Sequence, residues 1–199
     1  QTASRLITVR VEISQLTALY ELPCFSYFET LSAPEEPENL YGRTNHRSNT
    51  IASDYASGLH YDGTGMTIMM QDDGLIGPHI DYKGRNDQSE CNGCSTNDAD
   101  DHGDHVAGTI MGAGNIDPKT RGMAFGADLL VYSSSNNNFY DVPTLYSNND
   151  MVITSKSYSA GCNGGYDGLT RDLDEQVRLM PSLIHVFSAG NSGTTDCGY

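Results

Sequence analysis

An apolar stretch that ends in two aspartates constrains the fold of this chain more than any other feature. Residues 65–71 include the run Met66-Thr67-Ile68-Met69-Met70, and Asp72-Asp73-Gly74 follows directly. A strand with one face in water alternates apolar and polar residues, whereas a continuously apolar strand is typical of a sheet that is covered on both faces. The stretch therefore predicts a buried strand with carboxylates at its carboxyl end.

Strand and helix patterns alternate along the rest of the chain after Gly63. The predicted elements are strands at residues 127–133, 151–159 and 183–187, helices at 105–111 and 169–180, and at most a short helix at 142–146. This β-α-β order predicts an α/β fold with a mostly parallel, doubly wound sheet and helices on both faces. Because ligands bind beyond the carboxyl ends of strands in such sheets, residues that follow strands are candidate site residues.

The first part of the chain has a separate pattern. Residues 6–12 and 25–30 are predicted as strands, and a helix between them is predicted to end at Pro23. Residues 32–39 are rich in Pro and Glu, which is typical of an exposed linker. The sequence thus predicts a small α+β segment at residues 1–33, a linker at 34–50 and a larger domain at 51–199.

A histidine stands at the start of a predicted helix, and an asparagine follows a predicted strand. His102 begins the tetrad His102-Gly103-Asp104-His105, and Asn191 follows the last predicted strand. Histidine is a base near neutral pH, and a buried carboxylate on its second ring nitrogen fixes the tautomer. Because successive strand residues point to opposite faces, Asp72 rather than Asp73 is predicted to meet His102. An amide such as that of Asn191 stabilises a carbonyl oxygen that becomes negative during acyl transfer.

These motifs, in this order, resemble those of the subtilisin-like serine proteases over roughly residues 60–199. The resemblance implies a subtilisin-like fold in which Asp72 is the triad aspartate, His102 the general base and Asn191 the oxyanion-hole donor. It also implies that the small N-terminal segment is the end of an inhibitory propeptide. The alternative for that segment is an additional structural layer of the main domain.

Some positions depart from the family's pattern. Asp73 stands where threonine or serine is usual, and Asp104 where threonine is common. The family's nucleophile lies in a Gly-Thr-Ser motif well downstream of the asparagine, and no such motif occurs before Tyr199. We therefore expect the N-terminal portion of a serine endopeptidase, inactive alone, whose partner is the missing remainder of its catalytic domain. The alternative is a non-catalytic fragment or pseudoenzyme that acts as a binding module.

The resemblance also implies sites for substrate and calcium. The residues expected to flank the specificity pocket and pair with extended polypeptide substrates are Ser157, Tyr158, Ser159, Ala189 and Gly190. Asp81 matches a position that binds structural calcium in several family members, and Asn115 is its expected co-ligand. No cofactor for catalysis is expected.

The charge of the chain excludes some classes of partner. Its 11 basic and 26 acidic residues give a net charge of −15, which argues against nucleic acid or anionic membranes as partners. No apolar run approaches the roughly 18 residues of a membrane span. The resemblance to the subtilisin-like proteases, rather than the charge, implies a protein that is secreted or held at the cell surface, and we expect a bacterial source.

The cysteines leave alternatives open. Cys91 and Cys94 precede His102 and His105, but their spacing departs from the usual zinc-finger pattern, so a zinc enzyme is the weaker interpretation and a local disulfide or free thiols the stronger. A disulfide between Cys162 and Cys197 that braces the specificity pocket is a further option. Such disulfides require an oxidising compartment.

Overall fold

The structure is a computed structural model that describes residue 9 and residues 11–23, 41–91, 102–134, 138–158 and 165–191. The chain divides into two compact units, Gln1–Pro37 and Glu38–Tyr199. In the first unit, a 3-10 helix at Ile13–Gln15 leads into helix α1, Leu16–Tyr20. The strand predicted at residues 25–30 lies outside the described residues, as does most of that predicted at 6–12.

The second unit contains a five-stranded sheet in which every neighbouring pair is parallel. Its strands are β1 (Thr67–Asp72), β2 (Asn86–Asp87), β3 (Asp128–Ser133), β4 (Met151–Lys156) and β5 (Ile184–Phe187). The spatial order is β2-β3-β1-β4-β5, so the chain passes from one side of β1 to the other between β3 and β4. The carboxyl end of β1 therefore lies at a topological switch point, where sheets of this kind bind ligands.

Helices pack against both faces of this sheet. The described helices of the second unit are α2 (Gly42–Asn45), α3 (Ser48–Ile51), α4 (His102–Met111), α5 (Val142–Asn149) and α6 (Gly168–Leu179). Met70 of β1 packs in one core with Met111 of α4, whereas the adjacent Met69 packs in a second core with Val142 of α5. Because neighbouring strand residues point to opposite faces, these two cores lie on opposite sides of the sheet. The predicted α/β fold with a parallel, doubly wound sheet is confirmed.

Several boundaries differ from the predicted ones. Helix α4 begins at His102 rather than at residue 105, and α5 continues to Asn149. Strand β4 ends at Lys156, before the predicted end at residue 159. Strand β2 was not predicted, because two residues are too few to show a periodic pattern.

The segment at residues 41–51, which lies within the predicted linker up to residue 50, carries α2 and α3. Arg43 of α2 donates hydrogen bonds to the main-chain oxygens of Gly122 and Met123. The domain boundaries at residues 33 and 50 stay predictions. Among the described residues, no helix is both long and apolar enough to cross a membrane.

Candidate active site

The last residue of β1 and the first residue of α4 meet at the carboxyl edge of the sheet. Asp72 is 1% exposed, and its Oδ1 atom lies 2.6 Å from Nδ1 of His102. Because a carboxylate only accepts hydrogen bonds, Nδ1 carries the proton and Nε2 is the ring nitrogen that can take up another. The side chain of His102 is 49% exposed. The pair thus joins a buried acid to an accessible imidazole.

The surroundings of this pair favour the charged imidazolium. The hydrogen bond to Asp72 raises the pKa of His102 above its ordinary value, and the negative charges of Asp72 and Asp73 act in the same direction, whereas burial opposes them. Asp72 Oδ1 also accepts the N–H of Asp73 at 2.9 Å. The buried Oδ2 of Asp72 has no hydrogen-bond partner within the described part of the chain. The acid therefore has one oxygen committed to the imidazole and one held away from solvent.

Asp73 and Asp104 flank the pair. Asp73 Oδ1 accepts the main-chain N–H of Gly103 at 2.8 Å, and Asp104 Oδ1 accepts the main-chain N–H of Gly77 at 2.8 Å. No role was predicted for either carboxylate, although each departs from the family's pattern. That departure was the signal that could have identified them.

The predicted substrate-binding residues follow two strands that end side by side. Lys156 of β4 lies opposite Phe187 of β5, and the N–H of Ser188 donates to the main-chain oxygen of Lys156 at 3.0 Å. Ser157 and Tyr158 follow β4 and are half-buried. Burial, assisted by the negative charge of Asp72, raises the pKa of the Tyr158 phenol, so Tyr158 lies within electrostatic reach of the candidate acid.

On the β5 side, Ala189, Gly190 and Asn191 are exposed. Gly190 has a φ of +80°, a conformation that favours glycine. Asn191 follows β5 and so lies toward the same sheet edge as Asp72, with β4 between their strands. Its role as an oxyanion donor stays a prediction, and Ser159 lies outside the described residues.

Asp81 and Asn115, the predicted calcium ligands, are in contact. The N–H of Asn115 donates to Asp81 Oδ1 at 2.8 Å, and the Asn115 side-chain amide donates to the main-chain oxygen of Ile80 at 3.2 Å. Asp81 is buried, and its Oδ2 lies 3.9 Å from Nδ1 of His79. Asp81 Oδ2 and the Asn115 side-chain oxygen are the donors that fit a cation preferring oxygen ligands.

A buried lysine lies beneath the site on the other face of the sheet. Lys156 is 2% exposed, and its Nζ donates to Gln71 Oε1 at 2.6 Å and lies 4.0 Å from the centre of the Phe139 ring. Burial lowers the pKa of Lys156 to about 8. Burial and the nearby lysine charge lower the pKa of His185 to about 4. Sequence patterns missed this group, because a lysine near a strand end is ordinarily exposed.

The state of Cys91 argues against the zinc-enzyme interpretation of the cysteines. Cys91 is disulfide-bonded, so its sulfur is not the free thiolate that zinc requires. The other four cysteines, Cys24, Cys94, Cys162 and Cys197, lie outside the described residues. Among the described side chains, the cluster of potential metal donors is Asp72, Asp73 and His102. Within this cluster, Asp72 and His102 contact each other as an acid and a base.

This chain is similar to known proteases in sequence and in fold. The sequence model of the subtilase family matches residues 63–198. The chain is similar to alkaline serine exoprotease A of Vibrio alginolyticus, with 27% identity over 174 residues that cover 79% of this chain and 29% of the relative. It is also similar to the solved structure of the CspB protease of Clostridium perfringens, with a TM-score of 0.54, 17% identity, and coverage of 75% of this chain and 41% of that chain. The latter likeness shows the fold. The chain spans less than half the length of either protein.

Proposed function

Because the chain belongs to the subtilase family, we propose that it is the N-terminal portion of the catalytic domain of a serine endopeptidase. The observation that carries this proposal is the 2.6 Å contact between Asp72 Oδ1 and His102 Nδ1 at the switch point of the sheet. In the proposed enzyme, a part of the polypeptide outside residues 1–199 supplies the nucleophilic serine. The 199-residue chain alone is therefore expected to be inactive.

The proposed reaction uses each group of the site for one task. Nε2 of His102 takes the proton of the serine hydroxyl as its oxygen attacks the scissile carbonyl, and later gives that proton to the leaving amine. Asp72 holds the imidazole in the required tautomer and stabilises its positive charge. Asn191 donates a hydrogen bond to the oxyanion, a contribution worth on the order of 100- to 1000-fold in turnover when such a donor is removed from subtilisin.

The proposed substrates are extended polypeptides. The segments that leave β4 and β5 side by side, 157–159 and 189–190, would flank the residue whose carbonyl is attacked. Strand β5 lies at one edge of the sheet formed by the described residues, and its Ile184, Val186 and Phe187 side chains are about half exposed. We propose that the remainder of the catalytic domain covers this apolar surface.

The other properties are proposed on separate grounds. The disulfide at Cys91 supports an oxidising location, and hence a protein that is secreted or held at the cell surface. Its similarity to a Vibrio protein supports a bacterial source. The division of the chain after Pro37 supports an N-terminal propeptide segment. Asp81 and Asn115 would hold a structural calcium ion, which would tie the loop after β1 to the segment after α4 and take no part in bond cleavage.

The proposal is tested by labelling with a biotinylated fluorophosphonate, which reacts with activated serines. The test compares the 199-residue chain with a natural polypeptide extended past Tyr199 to include a Gly-Thr-Ser motif. We expect the extended polypeptide to be labelled and to hydrolyse a chromogenic peptide, and His102→Ala to abolish both. The 199-residue chain should remain unlabelled.

His105→Ala is the matched control, because His105 is an exposed histidine on the same helix, three positions later. It should preserve labelling. Undiminished labelling of His102→Ala, or specific labelling of a serine within residues 1–199, would contradict the proposed mechanism.

A further inference from the structure

The loop after β1 and the first turn of α4 each hold the main chain of the other. The Asp73 carboxylate in the loop accepts a hydrogen bond from the main-chain N–H of Gly103 in the helix at 2.8 Å. The Asp104 carboxylate in the helix accepts one from the main-chain N–H of Gly77 in the loop, also at 2.8 Å. We propose that Asp73 and Asp104 form a reciprocal clamp that positions His102 against Asp72. The catalytic meaning of the clamp rests on the proposed function, whereas its structural effect on the imidazole does not.

The bonds of the clamp lie directly beside the candidate catalytic contact. Asp72 contacts His102. The residues that follow these two also contact each other, because the Asp73 carboxylate accepts the main-chain N–H of Gly103. The third bond, from Gly77 to Asp104, engages the following helix residue. Successive residues of the helix start are thus fixed to one loop. A rotation of the first turn that moved the imidazole away from Asp72 would break these bonds together.

The first turn of α4 gains a hydrogen-bond acceptor that the helix itself does not provide. The first N–H groups of an α-helix have no acceptor within the helix, and Gly103 is buried. Asp73 supplies that acceptor from another element, and its negative charge is favourable at a helix N-terminus. A serine or threonine at position 73 would offer an acceptor without the charge.

Local sequence around the clamp is adapted to it. A Cβ atom on Gly103 would lie 2.6 Å from Asp73 Oδ1, so glycine is the residue that permits this bond. The Tyr82 hydroxyl donates to the main-chain oxygen of Asp104 at 2.9 Å. Because Tyr82 packs in the core beneath α4, it anchors the helix side of the clamp.

The two carboxylates differ in their electrostatic effect on His102. The charge of Asp73 raises the pKa of His102, in addition to the larger effect of Asp72. Asp104 lies on the same helix but is directed to Gly77. Tyr158, which follows β4, is a further titratable group near Asp72. Replacing Asp73 by asparagine keeps an acceptor oxygen and removes the charge, whereas alanine removes both.

The clamp is tested in the 199-residue chain by proton NMR, without substrate or nucleophile. The readouts are the downfield resonance of the His102 Nδ1 proton, assigned by its loss in His102→Gln, and the pKa of the His102 ring. We expect Asp73→Ala and Asp104→Ala each to weaken or abolish the resonance as the proton exchanges with water, and to lower this pKa. Asp73→Asn should keep the resonance and lower the pKa more than Asp104→Asn does.

Asp167→Ala is the matched control. Asp167 Oδ1 accepts the N–H of Thr170 at 2.8 Å and caps α6, so its loss destabilises a helix start that contains no part of the candidate site. It should leave the His102 resonance and pKa unchanged. The clamp is overturned if both alanine variants retain the parental resonance and pKa, or if Asp167→Ala changes them equally.

If the alanine variants fail to fold, hydrogen exchange of the Gly77 and Gly103 amide protons in the parent is the test, because each donates a clamp bond; exchange as fast as that of unstructured amides would overturn the clamp. Failure of the proposed function would appear separately, as absent fluorophosphonate labelling of the extended polypeptide.

Discussion

Replacing the buried Lys156 with methionine is expected to change how the stability of the chain depends on pH. The pKa of Lys156 is about 8 in the folded chain, against an ordinary value of 10.5, because burial disfavours the ammonium ion. One pKa unit corresponds to about 1.36 kcal/mol, so the folded state disfavours the charged form by roughly 3 kcal/mol.

The sign follows from the protons bound in each state. Between pH 8 and pH 10.5 the unfolded chain keeps the lysine proton and the folded chain does not, so the free energy of unfolding rises with pH across this window. Below about pH 8 both states bind the proton and the penalty is constant. The methionine variant lacks this rise.

The assay is urea unfolding followed by far-ultraviolet circular dichroism, for both proteins across this window. The free energy of unfolding of the parent minus that of Lys156→Met should increase by roughly 3 kcal/mol between pH 8 and pH 10.5. A comparison at one pH is less informative, because the variant also removes the hydrogen bond to Gln71 and the contact with the Phe139 ring. Each of those losses offsets part of the gain from removing a buried charge.

Lys83→Met, at an exposed lysine, controls for the loss of a positive charge and should leave the pH dependence as in the parent. A parent-minus-variant difference that stays flat from pH 8 to pH 10.5 would refute the reasoning. Lys156 would then have its ordinary pKa despite its burial.

Three further outcomes are expected. In the extended polypeptide, Asp72→Asn should reduce turnover on the order of 10⁴-fold. It should also move the acid limb of the pH–rate profile to lower pH, because the hydrogen bond and charge of Asp72 raise the pKa of His102. An acid limb that stays at the parental pH would contradict this. Asn191→Ala should reduce turnover on the order of 100-fold or more with little change in KM, and a change confined to KM would argue for a binding role instead. If Asp81 and Asn115 hold calcium, calcium should raise the midpoint of thermal unfolding in the parent but not in Asp81→Asn, and equal shifts in both would exclude this site.

The sequence was most informative where one physical rule decides the structure. Continuous apolarity predicted β1 as a strand covered on both faces, and the rule that ligands bind beyond the carboxyl ends of parallel strands identified Asp72 as a candidate site residue. The alternation of side chains along a strand favoured Asp72 as the partner of His102, and in the structure Asp72 contacts the imidazole while Asp73 contacts the main chain of Gly103.

Features that depend on several segments at once were not predictable in this way. The two residues of β2 carry no periodicity and become a strand only because they pair with β3. The role of Asp104 depends on where the loop at Gly77 lies. The burial of Lys156 depends on Phe139, which belongs to a distant 3-10 helix. Local sequence contains no information about these partners.

The buried polar groups on the sheet face opposite Asp72 affect the site, because they connect the strands whose ends form it. Gln71 directly precedes Asp72 and points to the opposite face, where its amide donates to the Ser133 main-chain oxygen of β3 at 3.1 Å and its oxygen accepts from Lys156 of β4 at 2.6 Å. One side chain therefore links β1 to both of its neighbours, one residue before the candidate acid.

Thr154 and His185 continue the linkage from β4 to β5, with 2.8 Å between Thr154 Oγ1 and His185 Nδ1. The strands that end at the acid, at the predicted substrate segments and at Asn191 are thus joined by side chains as well as by main-chain pairing. Apolar residues at these positions would remove the desolvation cost of Lys156 but also these directional bonds. Since hydrogen bonds fix relative position more strictly than apolar contacts do, the polar groups would limit relative sliding of the strands that present the site.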